Sequence, residues 1–206
     1  MRRVVQVFVS VAVVFGMDIL PTFALTYAEQ RQVVDRAREE VFKRVLYDPS
    51  YQKIKYPDGD IDPSRGVCTD LVVRALRAID LDLQKEIYED RKRCPKAYGK
   101  GRPDPNIDHR RCRNQMIWMK RHAEALTLET DSDKLKQWQP GDLVYWDLNG
   151  KGLLHVGVIS NMKKMDGMPL VIHNVGFYPT EAPVLLEWKI IGHFRADSPG
   201  NLPEQG

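Results

Sequence analysis

The chain changes period at Pro140-Gly141-Asp142. Before that turn, apolar residues recur at helical spacing; after it, they come in short runs separated by turn residues. A 3.6-residue period commits a segment to a helix with one buried stripe, whereas short runs bounded by Gly, Pro, Asn and Asp read as strands. The turns between those runs are too short for crossover helices, so the strands must pair antiparallel. Helices first and strands later make an α+β fold, with the helices packed on the sheet. The 206 residues suffice for one domain with a sizeable core.

In chain order, Val33, Val34, Ala37, Val41, Val45 and Leu46 predict a helix from Ala28 to Leu46, ended by Asp48-Pro49. Tyr51 to Arg65 is a loop carrying the turn Tyr56-Pro57-Asp58-Gly59-Asp60. Val67, Leu71, Val72, Ala75, Leu76 and Ile79 then place a helix from Cys68 to about Ile79. Leu81 to Lys92 reads as another helix, Cys94 to Arg113 as a polar loop, and Asn114 as the cap of a helix reaching about Ala125. The expected strands are Leu143–Trp146, Leu154–Ile159, Leu170–Val175, Val184–Trp188 and Ile190–Phe194. Trp118, Trp138, Trp146 and Trp188 suit the core or a cleft wall.

The start has a different logic. Arg2 and Arg3 precede an apolar run from Val4 to Leu20, and Thr22-Phe23-Ala24 or Thr26-Tyr27-Ala28 then offers small residues for a cut. That is the layout of a secretory signal peptide over residues 1–28, cleaved near 24 or 28. The run is short for a membrane span and contains Asp18, so no stable membrane insertion is expected after cleavage. Residues 29–195 then form one exported, periplasmic domain, and 196–206 a polar tail. A formal charge of +3 argues against nucleic acid as a partner.

Three cysteines in an oxidising compartment can make one bridge and leave one thiol. Cys94 and Cys112 flank a Gly- and Pro-rich loop, and joining them would stabilise the fold by about 3 kcal/mol in the chain-entropy model. Three reduced thiols remain the alternative. Cys68, at a helix start, meets unpaired N–H groups and the positive dipole end, a setting that favours thiolate. Strand alternation places His155 beside Gly157, and His173 occupies the next strand. A helix-tip thiol, a strand imidazole and a second polar group orienting it make a nucleophilic triad. The alternative readings are a buried small hydrophobe at Cys68 and hydrogen-bonded core histidines. The spacing lacks the close ligand pairs of common zinc sites, and no motif asks for a cofactor.

Cys68, the His155-Val156-Gly157-Val158 strand and His173 in the following strand resemble the NlpC-type peptidases of the papain-like clan. The approach Pro140-Gly141-Asp142-Leu143-Val144 is similar too. A nearer resemblance is to an exported bacterial family called domain of unknown function 1287. It rests on the Tyr56–Asp60 turn, Gly66-Val67-Cys68-Thr69-Asp70, Asn106 to Arg111, His173-Asn174 and Gly192-His193-Phe194-Arg195.

The resemblance implies a papain-like fold with Cys68 as nucleophile, His155 as general base and acid, and His173 as the orienting group. It further implies a peptide or amide bond of cell-wall peptidoglycan as substrate. Tyr56, Asp70 and Asn174 become candidate substrate-binding residues through the shared motifs. Asp108, His109, Arg110 and Arg111 join them as cleft-lining groups whose arginines suit carboxylates, or else as a network pinning a long loop. An amidase, a transferase, an antibacterial effector or a non-catalytic wall-binding module would share this fold. Val67 replaces the Asp of the usual Asp-Cys-Ser pattern, which removes a partner for a free stem amine.

Overall fold

A computed structural model describes residues 25–197. Helix α1 (Tyr27–Lys43) opens on Thr26, whose hydroxyl accepts the Glu29 N–H while the Glu29 carboxylate accepts the Thr26 N–H. The signal-peptide reading falls largely outside the described residues. Within them, Leu25 is buried and Thr26 caps α1, so a cut after Ala24 would spare both and a cut after Ala28 would remove both.

After α1, the two-residue strands β1 (Leu46–Tyr47) and β2 (Arg65–Gly66) pair in parallel and bring Tyr47 alongside Gly66. Helix α2 (Cys68–Arg77) follows at once, every residue from Cys68 to Leu76 being buried. Such a helix runs through the core, so its polar members need partners. Arg74 meets Glu40 at 2.7 Å, both oxygens of Asp60, and the Asp62 and Arg65 carbonyls. Helices α3 (Leu83–Arg93), α4 (Pro95–Tyr98) and α5 (Cys112–His122) complete the helical layer. The Tyr56–Asp60 turn is a brace for it: Gly59 donates to Gln84, and a Cβ at Gly59 would lie 1.8 Å from the Lys55 carbonyl oxygen.

The remaining strands are β3 (Glu124–Ala125), β4 (Leu143–Asp147), β5 (Leu154–Lys163), β6 (Pro169–His173), β7 (Thr180–Ala182) and β8 (Lys189–Arg195). They form one six-stranded antiparallel sheet in the order β3-β8-β4-β5-β6-β7. The molecule is therefore α+β, as the change of period implies. Alternation sorts the faces. Leu143, Tyr145, Val156, Val158 and Ile172 join the helical core, while Val144, Trp146, Ile159 and Val171 form a second core with Trp138 and Leu185. Asp142 anchors the sheet, accepting two bonds from Arg195 at 2.7 and 2.8 Å and one from His193, whose ring stacks on Trp138.

Three expectations are corrected. Val184–Trp188 is a turn following β7: Leu185 fills the second core and its carbonyl accepts the Trp146 indole N–H. The last helix starts at Cys112, because the Asn114 side chain turns back to the Asp108 carbonyl instead of capping. Ala196 and Asp197, assigned to the tail, are buried; the rest of that tail lies outside the described residues. No helix among the described residues is long and apolar enough to cross a membrane.

Candidate active site

Cys68 is the first residue of α2 and is 7% exposed. Valine at position 67 cannot cap a helix through its side chain. The carboxylate of Asp70 supplies the reciprocal half of a capping box, accepting the Val67 N–H at 2.7 Å. Arg110 holds the same carboxylate with bonds of 2.8 and 3.0 Å, and its remaining N–H groups reach the Ser50 and Asp48 carbonyls. Thr69 donates to the Arg110 carbonyl at 2.9 Å. The tip of α2 is thus fixed from both sides of the sulfur.

Opposite it stand the two imidazoles. Gly157 pairs with His173 across the β5–β6 ladder, and a Cβ on Gly157 would come within 2.6 Å of Val171 and 3.2 Å of the His173 side chain. Glycine therefore lets the strands close up and brings His155 Nε2 to 3.0 Å from His173 Nδ1. His173 Nε2 lies 3.3 Å from the Thr180 hydroxyl. Trp146 stacks on His155, and Trp188 meets both rings edge-on. With Nε2 engaged by His173, Nδ1 is the nitrogen His155 has left for the sulfur. Burial, with the charge of His155, pushes the His173 pKa down to about 4, so His173 is neutral. The relay that fits runs from a His155 Nε2–H into His173 Nδ1, and from His173 Nε2–H into Thr180.

The thiols depart most from expectation. Cys94 and Cys112 are not bridged; all three cysteines are free. Cys94 ends α3, beside the Asp90, Tyr98 and Arg121 cluster. Cys112 begins α5 and puts its sulfur 3.7 Å from that of Cys68. Either sulfur can donate in this contact, and the contact lowers the Cys68 pKa more than any other. Burial opposes ionisation; the hydrogen bond and charge of His155 and a backbone bond from Val156 favour it, leaving the thiol well below its ordinary range. Cys112 is driven the other way by its contact with Cys68 and by burial.

A cleft of about 330 Å³ opens over Cys68 between Tyr47, Pro49, Ile107, Arg110, Cys112, Arg113, Gly152 and Leu154. The tyrosine beside Cys68 is Tyr47, carried there by the β1–β2 pair. Tyr56 points elsewhere, donating to Glu89 at 2.8 Å and packing on Tyr88.

The other candidate binding residues divide. Asp70 and Arg110 hold the helix tip. Asp108 pairs with Arg91 at 2.7 Å, and His109 is buried with its carbonyl on Gln115. Asn174 is also buried and donates to the Gly66 carbonyl at 3.3 Å, tying β6 to the approach to Cys68. These residues build the walls: each makes internal hydrogen bonds, while His109 Nδ1 and Asn174 Oδ1 are buried without a hydrogen-bond partner. Arg111 is exposed and lines an adjoining cleft of about 490 Å³ with Lys100, Arg102 and Arg113. Ile107 and Arg113 border both clefts. Sequence reasoning missed Cys112 and Tyr47. Cys112 was legible only by starting its helix two residues earlier, and Tyr47 by pairing two very short strands.

The chain was compared with known proteins. The family described as "Domain of unknown function (DUF1287)" matches residues 34–196. The uncharacterized protein YijF of Escherichia coli (strain K12) is 43% identical over 168 residues, covering 79% of this chain and 80% of that protein. No solved structure matches.

Proposed function

On the premise that the chain belongs to the DUF1287 family, we propose that it is an exported cysteine hydrolase of the papain-like, NlpC-type kind. Its substrate in this reading is a peptide or amide bond of cell-wall peptidoglycan. One observation carries the reading: a thiol at the first residue of α2, opening on a cleft and served by His155, which is itself held by His173 at 3.0 Å.

The chemistry follows from that geometry. Cys68 attacks the carbonyl as thiolate, which needs no proton transfer at the moment of attack. The oxyanion that develops is stabilised by the Cys68 N–H and the positive end of α2. His155, protonated in the ion pair, gives its Nδ1 proton to the leaving amine and then takes one from the water that hydrolyses the acyl-enzyme. His173 stays neutral and keeps the ring of His155 in register. The tryptophans around the pair limit water, which strengthens each of these interactions. The basic groups beside the cleft suit the carboxylates of a wall stem peptide.

The test is purified wall fragments incubated with the native protein and with Cys68→Ala, the products being resolved by mass spectrometry. Native protein is expected to release new amine and carboxyl ends, and the variant to fall to background. Equal cleavage by the two proteins would refute the assignment. New amide bonds without new carboxyl ends would identify a transferase on the same site.

A further inference from the structure

The hydrolase reading leaves the second thiol of the cleft without a task. Cys68 and Cys112 sit at the first positions of two different helices, line the same opening, and hold their sulfurs 3.7 Å apart. A disulfide needs about 2.05 Å, so closing the pair brings the sulfurs roughly 1.7 Å nearer. Cys94 is not part of this arrangement: it ends α3 in the cluster around Asp90 and Arg121.

We infer that Cys68 and Cys112 form a dithiol site for low-mass disulfides, in which Cys68 is the attacking thiol and Cys112 the resolving one. In the first step the Cys68 thiolate attacks one sulfur of a disulfide RSSR, forms the mixed disulfide Cys68–S–S–R and expels RS⁻. In the second, Cys112 loses its proton to solvent or to the expelled thiolate and attacks the Cys68 sulfur. The Cys68–Cys112 bond forms and the second RS⁻ leaves. Two protein thiols are oxidised and one RSSR is reduced to two RSH, so electrons and protons balance.

The division of labour follows from the surroundings of each sulfur. The two sulfurs touch, but His155 and the Val156 N–H act on Cys68 alone and favour its thiolate, while burial and its neighbour keep Cys112 protonated. A thiol lying within van der Waals reach of the mixed disulfide meets it at a high effective concentration, so resolution outruns loss to solvent. The bridge consumes the proposed nucleophile, and a dithiol reductant regenerates it. Exchange also protects Cys68 from the irreversible sulfinic and sulfonic states. The exchange chemistry stands whether or not Cys68 attacks carbonyls.

The experiment treats the folded, reduced protein with oxidised glutathione, then quenches with an alkylating agent and maps peptides without reduction. The native chain is expected to lose two hydrogen atoms, give a linked Cys68–Cys112 peptide pair and carry little glutathione. Cys112→Ser and Cys112→Ala are each expected to hold at least tenfold more glutathione on Cys68, while Cys94→Ser behaves as the native chain. Circular dichroism establishes that each variant is folded. A lasting glutathione adduct on native Cys68, a bridge containing Cys94, or a Cys68 that reacts only after unfolding would each overturn the inference. Wall-fragment cleavage is measured separately, so failure of the hydrolase reading leaves this result interpretable.

Discussion

Replacing Asp70 by Asn removes one charge from a buried ion pair at the tip of α2 and leaves Arg110 in place. Arg110 is 7% exposed, and two of its bonds, at 2.8 and 3.0 Å, go to that carboxylate. Breaking one partner of a buried ion pair costs about 3–5 kcal/mol, because the surviving charge stays desolvated. Asn can still accept the Val67 N–H, so the helix cap is largely kept and the loss reports on the ion pair. For a domain of this size each kcal/mol corresponds to roughly 2–4 °C, so the melting temperature should fall by about 10 °C. Urea denaturation followed by circular dichroism gives the free energy directly. The double variant Asp70→Asn with Arg110→Met removes the stranded charge and should recover most of the loss. A single variant costing less than about 1 kcal/mol, or a double variant no better than the single, would refute the ion-pair account.

Other consequences can be checked alongside. His173→Ala should lower kcat roughly 10–100-fold with little change in KM, because it orients His155 and does not touch the bond that breaks; steady-state kinetics on a defined wall peptide decides this. Acid should destabilise the fold through its buried neutral histidines. His109 and His173 are each pushed from 6.5 to about 4, mainly by burial, so the unfolded chain binds protons that the fold refuses. Each is worth roughly 3 kcal/mol of stability that is complete above pH 6.5 and lost as pH falls through 4. Urea midpoints between pH 7 and pH 4 should fall, and His109→Gln should flatten the slope.

The parts of the molecule that the sequence exposes best are those where one local rule governs. Helical spacing locates α2 and its Cys68 start, and strand alternation sets Gly157 beside His155 and foretells the His155–His173 contact. Long-range pairing is what local patterns miss. Tyr47 reaches the cleft only through a two-residue parallel pair, and Cys112 finds Cys68 across 44 positions of sequence. The bridge expected from the Gly- and Pro-rich loop weighed chain entropy alone, whereas α3 and α5 carry Cys94 and Cys112 to different neighbours. In sequence, Asp108 to Arg110 read equally as cleft lining or as a network pinning a long loop. Arg91, Asp70 and Gln115 turn them inward by pairing with the Asp108 carboxylate, the Arg110 guanidinium and the His109 carbonyl, while His109 Nδ1 stays without a partner.

The proposed chemistry turns on Cys68 existing as thiolate beside an imidazole. The pH dependence of iodoacetamide modification, read at Cys68 by peptide mass in reduced native protein and in His155→Ala, measures this directly. The account predicts an ionisation far below the ordinary thiol range in the native chain, and one displaced upward when the ring is removed. An ordinary thiol titration in the native protein, or one indifferent to the loss of His155, would contradict it.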